Sequence, residues 1–175
     1  TCSVTATVTV DPTPSAITPS TPVILCVGNT ASLSDPTPGG TWSSSNANAT
    51  VVAGTGVVTG VTAGNVDITY TLPAGCIAVK ALTVHPTPAS IAGSNAVCVG
   101  LTTTLTDATA GGVWTSSNTS MATVGSTSGI VSGIASGALT ISYTLPAGCY
   151  AVLPFTVNPT PAAITGTTTV CVGST

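Results

Sequence analysis

Charge is the property that this sequence most lacks. Of its 175 residues only 3% are charged, and they comprise one Lys, four Asp and no Arg or Glu. A protein that binds nucleic acid or an anionic membrane surface needs clustered basic side chains, and Lys80 stands alone. The composition therefore excludes an electrostatic site for nucleic acid. The four acidic residues are Asp11, Asp35, Asp67 and Asp107.

Catalytic side chains are nearly as scarce as charge. His85 is the only histidine, and the four aspartates are scattered singly along the chain. Catalysis by a Ser or Thr nucleophile needs an adjacent base, and glycoside hydrolysis needs two carboxyl groups close in space. Neither arrangement is available from these residues. We therefore predict no catalytic residues, no cofactor and no enzymatic activity.

Long apolar runs and metal-binding patterns are also missing from the sequence. No apolar run approaches the roughly 20 residues that span a bilayer, so we expect no membrane span. The cysteines occur singly, whereas zinc sites commonly use Cys-x-x-Cys pairs. Asp35 and Asp107 are equivalent and isolated, while calcium takes about 6–8 oxygen ligands. We predict that each caps an Asx turn and that the chain holds no metal.

Small and β-branched residues take the place of charge. The chain contains 36 Thr, 19 Ser, 19 Gly and 13 Pro, and 43% of its residues are hydrophobic. This composition indicates an all-β protein with many turns. A soluble monomer normally carries more charge, so we expect the Thr-rich surface to be packed against neighbours or glycosylated. Six cysteines in such a chain indicate an oxidising, extracellular location and a processed or excised segment of an exported protein.

A repeat of about 73 residues organises the chain. The cysteine positions recur at 98 − 26 = 72, 171 − 98 = 73, 76 − 2 = 74 and 149 − 76 = 73 residues. Residues 33–46 correspond to residues 105–118, and residues 68–76 correspond to residues 141–149. A period of this length suits one small β-sandwich per repeat. The six cysteines are Cys2, Cys26, Cys76, Cys98, Cys149 and Cys171.

Turn residues divide each repeat into seven short strand signals, which predict a two-sheet sandwich. Residues 66–72 alternate so that every second side chain shares one face. In the first repeat the predicted strands lie near 15–27, 30–34, 40–45, 49–53, 56–62, 66–72 and 76–84. In the second repeat they lie near 89–99, 102–106, 112–117, 121–124, 129–134, 138–145 and 149–157.

Pro-x-Pro segments mark the repeat boundaries and give the domain layout. His85 precedes one of them, where Asp11 and Asn158 precede the others, so we expect His85 to be a solvated linker residue. The linker prolines are Pro12, Pro14, Pro86, Pro88, Pro159 and Pro161. The predicted parts are residues 1–11 as the last (G-type) strand of a preceding or partner repeat, residues 12–86 and 87–159 as two full domains, and residues 160–175 as the first (A-type) strand of a following or partner repeat.

The terminal segments are predicted to need a partner. A lone strand leaves its apolar face and its backbone hydrogen-bonding groups unpaired. We therefore expect residues 1–11 and 160–175 to dock on copies of the chain or on further repeats of the same chain.

Aromatic residues recur at equivalent positions of the two repeats. Trp42 and Trp114 lie on the third predicted strand, and Tyr70 and Tyr143 lie on the sixth. Such rings can stack on carbohydrate, but a Trp at this strand position is typical of the core of an immunoglobulin-like sandwich. We predict that these four residues are core anchors. Tyr150 and Phe155 occur only in the last copy of the final strand and are assigned a contact role.

Recurring motifs carry a resemblance to a known family. They read Val-Cys-Val-Gly-x-Thr, Gly-Gly-x-Trp-[Ser/Thr]-Ser-Ser-Asn, Gly-x-Val-x-Gly and Ile-[Thr/Ser]-Tyr-Thr. This set resembles the group 2 bacterial immunoglobulin-like (Ig-like) domain, and more narrowly the Cys-containing version found in tandem in large secreted surface proteins of Bacteroidota. The resemblance implies tandem Greek-key β-sandwiches that act as spacer, stalk or adhesive modules without catalysis.

Several cysteine pairings remain open. Local pairs would each surround a Pro-x-Pro segment, which is a poor hairpin turn because it favours an extended conformation. The topology implied by the resemblance separates the two cysteines of one domain, so that pairing within a domain is strained. The preferred pairing joins Cys26 to Cys149, with the other four cysteines reaching neighbouring repeats or subunits. The alternatives are free thiols, the intradomain pairs Cys26–Cys76 and Cys98–Cys149, and the local pairs Cys2–Cys26, Cys76–Cys98 and Cys149–Cys171.

The sequence thus predicts a structural, non-catalytic protein of an extracellular filament or surface fibre. In it, Ig-like repeats assemble end to end, and terminal strands and disulfides lock neighbours together. The alternative function is an adhesin stalk or glycan-binding module that recognises glycans or a host surface.

Overall fold

The computed structural model describes residues 3–8 and 10–166. In this part of the chain the regular structure is entirely β, and no helix there is long and apolar enough to cross a membrane. The strands are β1 Leu25–Cys26, β2 Thr30–Ser32, β3 Thr41–Ser44, β4 Ala49–Val51, β5 Val57–Gly60, β6 Gly64–Thr71, β7 Ile77–His85, β8 Ala96–Cys98, β9 Thr102–Thr104, β10 Val113–Ser116, β11 Ala122–Val124, β12 Ile130–Gly133, β13 Gly137–Thr144 and β14 Tyr150–Asn158.

Backbone contacts divide the chain into two units. The first comprises Thr1–Ala89 together with Thr144–Tyr150, and the second comprises Ser90–Tyr143 together with Ala151–Thr175. The segment Thr144–Tyr150 is notable because it belongs to the second repeat in sequence but clusters with the first unit.

Two sheets form the sandwich of the first unit. One has the strand order β1-β7-β6-β3 and the other has the order β2-β5-β4. Neighbouring strands are antiparallel except for β1, which runs parallel to the end of β7 with Leu25 opposite Val84 and Cys26 opposite His85. Seven strands in two sheets are what the repeat predicted, so the predicted all-β fold class is confirmed.

The second unit has the same strand arrangement as the first. Its sheets have the orders β8-β14-β13-β10 and β9-β12-β11, and β8 runs parallel to β14 with Cys98 opposite Asn158. The repeated sequence has therefore produced a repeated topology, in which equivalent residues occupy equivalent places.

Strand β6 shows how the sequence pattern builds the core. Val66, Ile68 and Tyr70 are buried while Asp67 between them is exposed, because successive side chains point to opposite faces of a sheet. Leu72, just beyond the strand, is buried as well, which confirms the predicted apolar face. The buried side chains of the described part of the chain all belong to hydrophobic residues, and the two buried Tyr hydroxyl groups are hydrogen-bonded. The hydrophobic effect is therefore the main source of stability for each sandwich.

The first strand of each repeat is shorter than predicted. The strand expected near 15–27 consists only of β1 and an isolated bridge between Thr18 and Ser34. Pro19 and Pro22 lack the N–H that a ladder requires, which accounts for the interruption. The strand expected near 89–99 consists of β8 and an isolated bridge at Ala92, where Gly93 follows with a φ of +124°.

The terminal segments form no strand where the structure describes them. Residues 3–8 and 10–16 carry no ladder, and residues 159–166 carry none. Residues 167–175 lie outside the described part of the chain, as do Cys2 and Cys171. We predicted that the two terminal segments form strands by pairing with a neighbour, and this stays a prediction.

Candidate functional site

The cysteines occupy opposite ends of each sandwich. In the first unit Cys26 lies opposite His85, the last residue of β7, while Cys76 immediately precedes Ile77, the first residue of that strand. A nine-residue strand is roughly 26 Å long at about 3.3 Å per residue. A disulfide requires Cα atoms within about 7 Å, so a Cys26–Cys76 bridge is excluded.

The second unit repeats this separation. Cys98 lies opposite Asn158, the last residue of β14, and Cys149 immediately precedes Tyr150, the first residue of that strand. A Cys98–Cys149 bridge is excluded for the same reason. The intradomain pairs, which sequence analysis kept only as an alternative, are therefore ruled out for both repeats.

The structure joins Cys26 to Cys149 in a disulfide. Their Cα atoms are 5.8 Å apart, and 123 positions separate the two residues in sequence. Both lie in the first unit, since Cys149 belongs to the segment that clusters there. This is the pair that sequence analysis preferred. Since Cys26 is bonded to Cys149, neither takes part in the local pairs of the alternative scheme.

The remaining described cysteines, Cys76 and Cys98, are free thiols. Both are half-buried, whereas the disulfide-bonded Cys26 and Cys149 are 6% and 1% exposed. Each repeat therefore holds one bonded and one free cysteine, and the two repeats differ in which end is bonded.

A tight turn presents Cys149. The N–H of Gly148 donates to the carbonyl oxygen of Leu145 at 2.9 Å, and the N–H of Leu145 donates to the carbonyl oxygen of Cys149 at 2.8 Å. Pro146 occupies the second position of this turn, where its fixed φ is favourable. The first repeat builds the same turn at residues 72–76, so Cys76 is presented in the same way.

A second turn fixes the position of Cys26. The N–H of Val27 donates to the carbonyl oxygen of His85 at 2.9 Å, and the N–H of Asn29 donates to the carbonyl oxygen of Cys26 at 3.0 Å. Gly28 between them has a φ of +85°, a left-handed conformation that favours glycine. The cysteine therefore lies where the chain leaves the sheet and turns back toward β2.

A cavity of about 340 Å³ adjoins the disulfide. It belongs entirely to the first unit and has both polar and apolar walls. The lining residues are Ile24, Cys26, Asn29, Thr87, Gly148, Cys149 and Tyr150. Apart from the disulfide itself, Tyr150 is the one titratable side chain among these lining residues, and no His, Asp, Glu or Lys accompanies it.

The four aromatic residues assigned to the core are buried. Trp42 and Tyr70 lie with ring centroids 4.7 Å apart and planes tilted by 46°, and Trp114 and Tyr143 have the same geometry. Their exposed fractions lie between 5% and 7%. Phe155 is also buried at 1% exposed, so the contact role assigned to it is wrong. It replaces Leu82 of the first repeat in the core, whereas Tyr150 is exposed.

A hydrogen-bond network holds the loop before β3. The hydroxyl of Tyr70 donates to the carbonyl oxygen of Thr37 at 2.6 Å and accepts from the N–H of Gly40 at 2.9 Å. Asp35 accepts from the N–H of Thr37 at 2.8 Å, which confirms the predicted Asx turn. In the second repeat Asp107 accepts from the N–H of Thr109 at 2.7 Å, which confirms the equivalent turn.

Neither a metal centre nor a catalytic cluster is found among the described residues. No group of three or more His, Cys, Asp or Glu side chains lies close enough there to hold a metal ion. His85 is the last residue of β7 and is half-buried opposite Cys26, so the expectation that it is a solvated linker residue is wrong. The features that this part of the chain does bring together are the disulfide and its two turns.

Comparison with protein families identifies the repeat. Residues 78–149 match the family model described as bacterial Ig-like domain (group 2). The resemblance drawn from the motifs is thereby confirmed for the group 2 family, and the narrower Bacteroidota version stays a prediction. No curated protein matches the chain.

Comparison with solved structures supports the fold. The C-terminal 282-residue fragment of intimin, solved in complex with the intimin-binding domain of the translocated intimin receptor, aligns with a TM-score of 0.52 at 14% identity. The alignment covers 84% of this chain and 65% of the intimin fragment. At this identity the likeness shows the fold alone. This chain spans 65% of the length of that fragment.

Two further structures align less well. Domains 1–6 of the surface layer protein SbsC align at 21% identity over 86% of this chain and 29% of that chain, with a TM-score of 0.33. The human desmocollin-1 ectodomain aligns at 13% identity over 94% of this chain and 39% of that chain, with a TM-score of 0.35.

Proposed function

We propose that this chain is a non-catalytic structural segment of an extracellular filament or surface fibre built end to end from Ig-like repeats. The observation that carries the proposal is the Cys26–Cys149 disulfide, which links a residue of the first repeat to a residue of the second. The family match and the scarcity of charged and histidine side chains agree with a module that bears load rather than one that performs chemistry.

The disulfide supports a load-bearing role because it adds a second covalent connection. The Pro-Thr-Pro segment at residues 86–88 is the backbone connection between the repeats, and the bond between residues 26 and 149 bypasses it. A pulling force applied to the chain outside this loop then passes through the disulfide, and the backbone that the bond bypasses, including the linker, is shielded from the load. Such bonds persist outside the cell, where the environment is oxidising, which supports an extracellular location.

The terminal segments support assembly with neighbours. Residues 3–8 and 159–166 are exposed and form no ladder, and they correspond in sequence to the last and first strands of a repeat. Extended segments of this kind can add to the edge of a sheet in another molecule, because their backbone groups supply the hydrogen bonds. We propose that strand addition and disulfides together hold consecutive units.

Negative-stain electron microscopy of the native material tests this function. Filaments with a repeating substructure are expected. The opposite result is a chain that stays monomeric and folded in dilute solution, with both terminal segments already protected from hydrogen exchange. In that case the termini would be satisfied without a neighbour and end-to-end assembly would be wrong.

A second candidate function is glycan binding by an adhesin stalk. It is favoured by one cavity in each repeat, of about 250 Å³ beside Trp42 and Tyr70 and about 200 Å³ beside Trp114 and Tyr143. Asp35 and Asp107 each add a buried carboxylate oxygen that has no hydrogen-bond partner among the described residues. An acceptor beside aromatic rings is a combination that suits a sugar hydroxyl.

A glycan array with blocked cavities tests the second candidate. Thr55 and Ser128 line the two cavities and are exposed, so the Thr55→Arg and Ser128→Arg double variant fills the cavities without disturbing the core. Thr62→Arg is the matched control, because Thr62 is exposed and lines neither cavity. Binding that is lost only in the double variant supports the adhesin function. An array without hits contradicts it.

A further inference from the structure

We propose that Cys98 of one copy of this chain forms a disulfide with Cys76 of a second copy, repeating between copies the bond that joins Cys26 to Cys149. The inference rests on the proposed end-to-end assembly and specifies the residues that carry it. Both thiols are free in the single chain. Cys98 is structurally equivalent to the bonded Cys26, and Cys76 is structurally equivalent to the bonded Cys149.

Cys98 is the structural counterpart of Cys26. Cys26 lies opposite the last residue of β7, and Cys98 lies opposite Asn158, the last residue of β14. The N–H of Val99 donates to the carbonyl oxygen of Asn158 at 2.9 Å, and the N–H of Leu101 donates to the carbonyl oxygen of Cys98 at 3.1 Å. The same two hydrogen bonds surround Cys26. The backbone therefore offers Cys98 to a partner in the way that it offers Cys26.

Cys76 is the counterpart of Cys149 by the same reasoning. The N–H of Gly75 donates to the carbonyl oxygen of Leu72 at 2.9 Å, and the N–H of Leu72 donates to the carbonyl oxygen of Cys76 at 2.9 Å. The turn around Cys149 has the same pair of bonds at 2.9 Å and 2.8 Å. The backbone therefore presents Cys76 in the same way as it presents Cys149.

A second copy of the chain supplies a counterpart for each free thiol. Its Cys76 is equivalent to Cys149 and can pair with Cys98, and its Cys98 is equivalent to Cys26 and can pair with Cys76.

Exposed apolar side chains flank the two free thiols. Leu101, three residues after Cys98, is 59% exposed, and Ile77, directly after Cys76, is 55% exposed. They stand where Asn29 and Tyr150 line the cavity around the existing disulfide. Docking of two copies through these positions would remove apolar surface from water, which favours the encounter before any covalent bond forms.

The covalent step is a thiol–disulfide exchange with a small-molecule disulfide such as oxidised glutathione. One cysteine thiolate attacks the reagent and forms a mixed disulfide, which releases one glutathione thiolate. The thiolate of the other copy then displaces the second glutathione and closes the Cys98–Cys76 bond. Two protein thiols are oxidised and one glutathione disulfide is reduced to two glutathione molecules. Because the bond is head to tail, each product keeps one free thiol at either end and chains can grow.

Mixing single-thiol variants tests the pairing. Every protein carries Cys2→Ser and Cys171→Ser, so that only the described cysteines react. To this background Cys76→Ser is added in one variant and Cys98→Ser in the other, and the first is labelled with ¹⁵N. Both are incubated with oxidised and reduced glutathione and run on a non-reducing gel, and mass spectrometry of the dimer band shows whether it contains one labelled and one unlabelled chain.

The expected result is a ladder for the background protein, little dimer for either variant alone, and a labelled–unlabelled dimer when the two are mixed. Adding Leu101→Asp to the Cys76→Ser variant should lower the dimer yield about tenfold, because a charge replaces the apolar contact. Homodimers that form as readily as the mixed dimer, or no dimer at all, would overturn the pairing.

Microscopy separates this inference from the function on which it rests. If filaments persist when Cys76 and Cys98 are both replaced by Ser and the mixed dimer does not form, the proposed bond is wrong while the structural function stands. If the mixed dimer forms but the native material contains no filaments, the bond stands and the filament function fails.

Discussion

The hydroxyl of Tyr70 donates a 2.6 Å hydrogen bond to the carbonyl oxygen of Thr37, 33 residues earlier in the chain. The same hydroxyl accepts a bond from the N–H of Gly40, so one buried side chain fixes both ends of the loop before β3. In the second repeat Tyr143 makes the equivalent bonds to Thr109 and Gly112. The loop geometry therefore depends on two phenol groups that are otherwise surrounded by the core.

Removing this hydroxyl should destabilise the repeat that contains it. Tyr70→Phe leaves the carbonyl oxygen of Thr37 and the N–H of Gly40 without their partner, which costs about 1–3 kcal/mol. Urea unfolding should show the loss, and Tyr143→Phe should show a similar loss in the second repeat. Tyr150→Phe is the matched control, because Tyr150 is 63% exposed, and it should change the free energy of unfolding little. Equal effects at all three positions would contradict the network.

A methyl group at Gly40 should also be destabilising. A Cβ there would overlap the ring of Tyr70, and at Gly112 it would overlap the ring of Tyr143. Gly40→Ala and Gly112→Ala should each cost about 1–3 kcal/mol, because the ring must leave its packed position. Gly54→Ala provides the control, since a Cβ at that position meets no atom within 4 Å. Thermal unfolding of the three variants measures these effects. A Gly40→Ala protein as stable as the Gly54→Ala protein would contradict the close contact between Gly40 and the ring of Tyr70.

Loss of the indole at Trp42 separates a core role from a binding role. The ring is 7% exposed and packs on Tyr70, so Trp42→Ala should lower the free energy of unfolding by about 3–5 kcal/mol. Val79→Ala changes an exposed position of the same unit and should have little effect. Chemical denaturation measures both. A Trp42→Ala protein of unchanged stability would mean that the indole is not part of the core.

Opening the disulfide should lower stability without unfolding the sandwiches. The bond closes a loop across 123 positions, and a disulfide typically adds about 2–4 kcal/mol by restricting the unfolded chain. The Cys26→Ser and Cys149→Ser double variant should therefore unfold at a lower temperature, as should the parent protein in reductant. The Cys76→Ser and Cys98→Ser double variant should unfold like the parent when kept monomeric. A reductant that leaves the unfolding temperature of the parent unchanged would speak against the bond.

The repeat made the fold predictable from the sequence alone. Strands β2 to β7 begin and end within about two residues of their predicted positions, since Gly and Pro bound them and β-branched residues alternate within them. The buried face of β6 followed from period-two alternation. Having two copies of each motif helped, because a position that kept its residue type in both copies had the same structural role in both.

The first strand of each repeat was harder to predict. Apolar and β-branched residues recur in residues 15–27 and predicted one strand there, yet Pro19 and Pro22 prevent a continuous ladder, so the prediction overstated the length of the strand. Phe155 was assigned a contact role because it is aromatic. Its position in the strand is equivalent to that of Leu82, a core residue, and this equivalence was the better guide to its burial. Side-chain direction in the strand should have outweighed residue type.

The cysteine pairing could be predicted only in part from the sequence. Spacing alone allowed local, intradomain and inter-repeat bonds, and only the topology of the sandwich separates them. Thr144–Tyr150 belong to the first unit, where Cys149 is bonded to Cys26, and no local sequence pattern predicts to which unit a turn will belong. The exposure of Leu101 and Ile77 could not be predicted from the sequence either, because an apolar residue type does not by itself determine whether the side chain is buried.

A single tryptic cut tests the central claim most directly. Lys80 is the only Lys or Arg in the chain, so trypsin divides the denatured protein into residues 1–80 and 81–175. The protein used retains Cys26 and Cys149 only, with Ser at Cys2, Cys76, Cys98 and Cys171. We predict that the two fragments stay together on a non-reducing gel and separate when a reductant is added. Fragments that separate without reductant would show that no bond links the first repeat to the second, and would contradict the account.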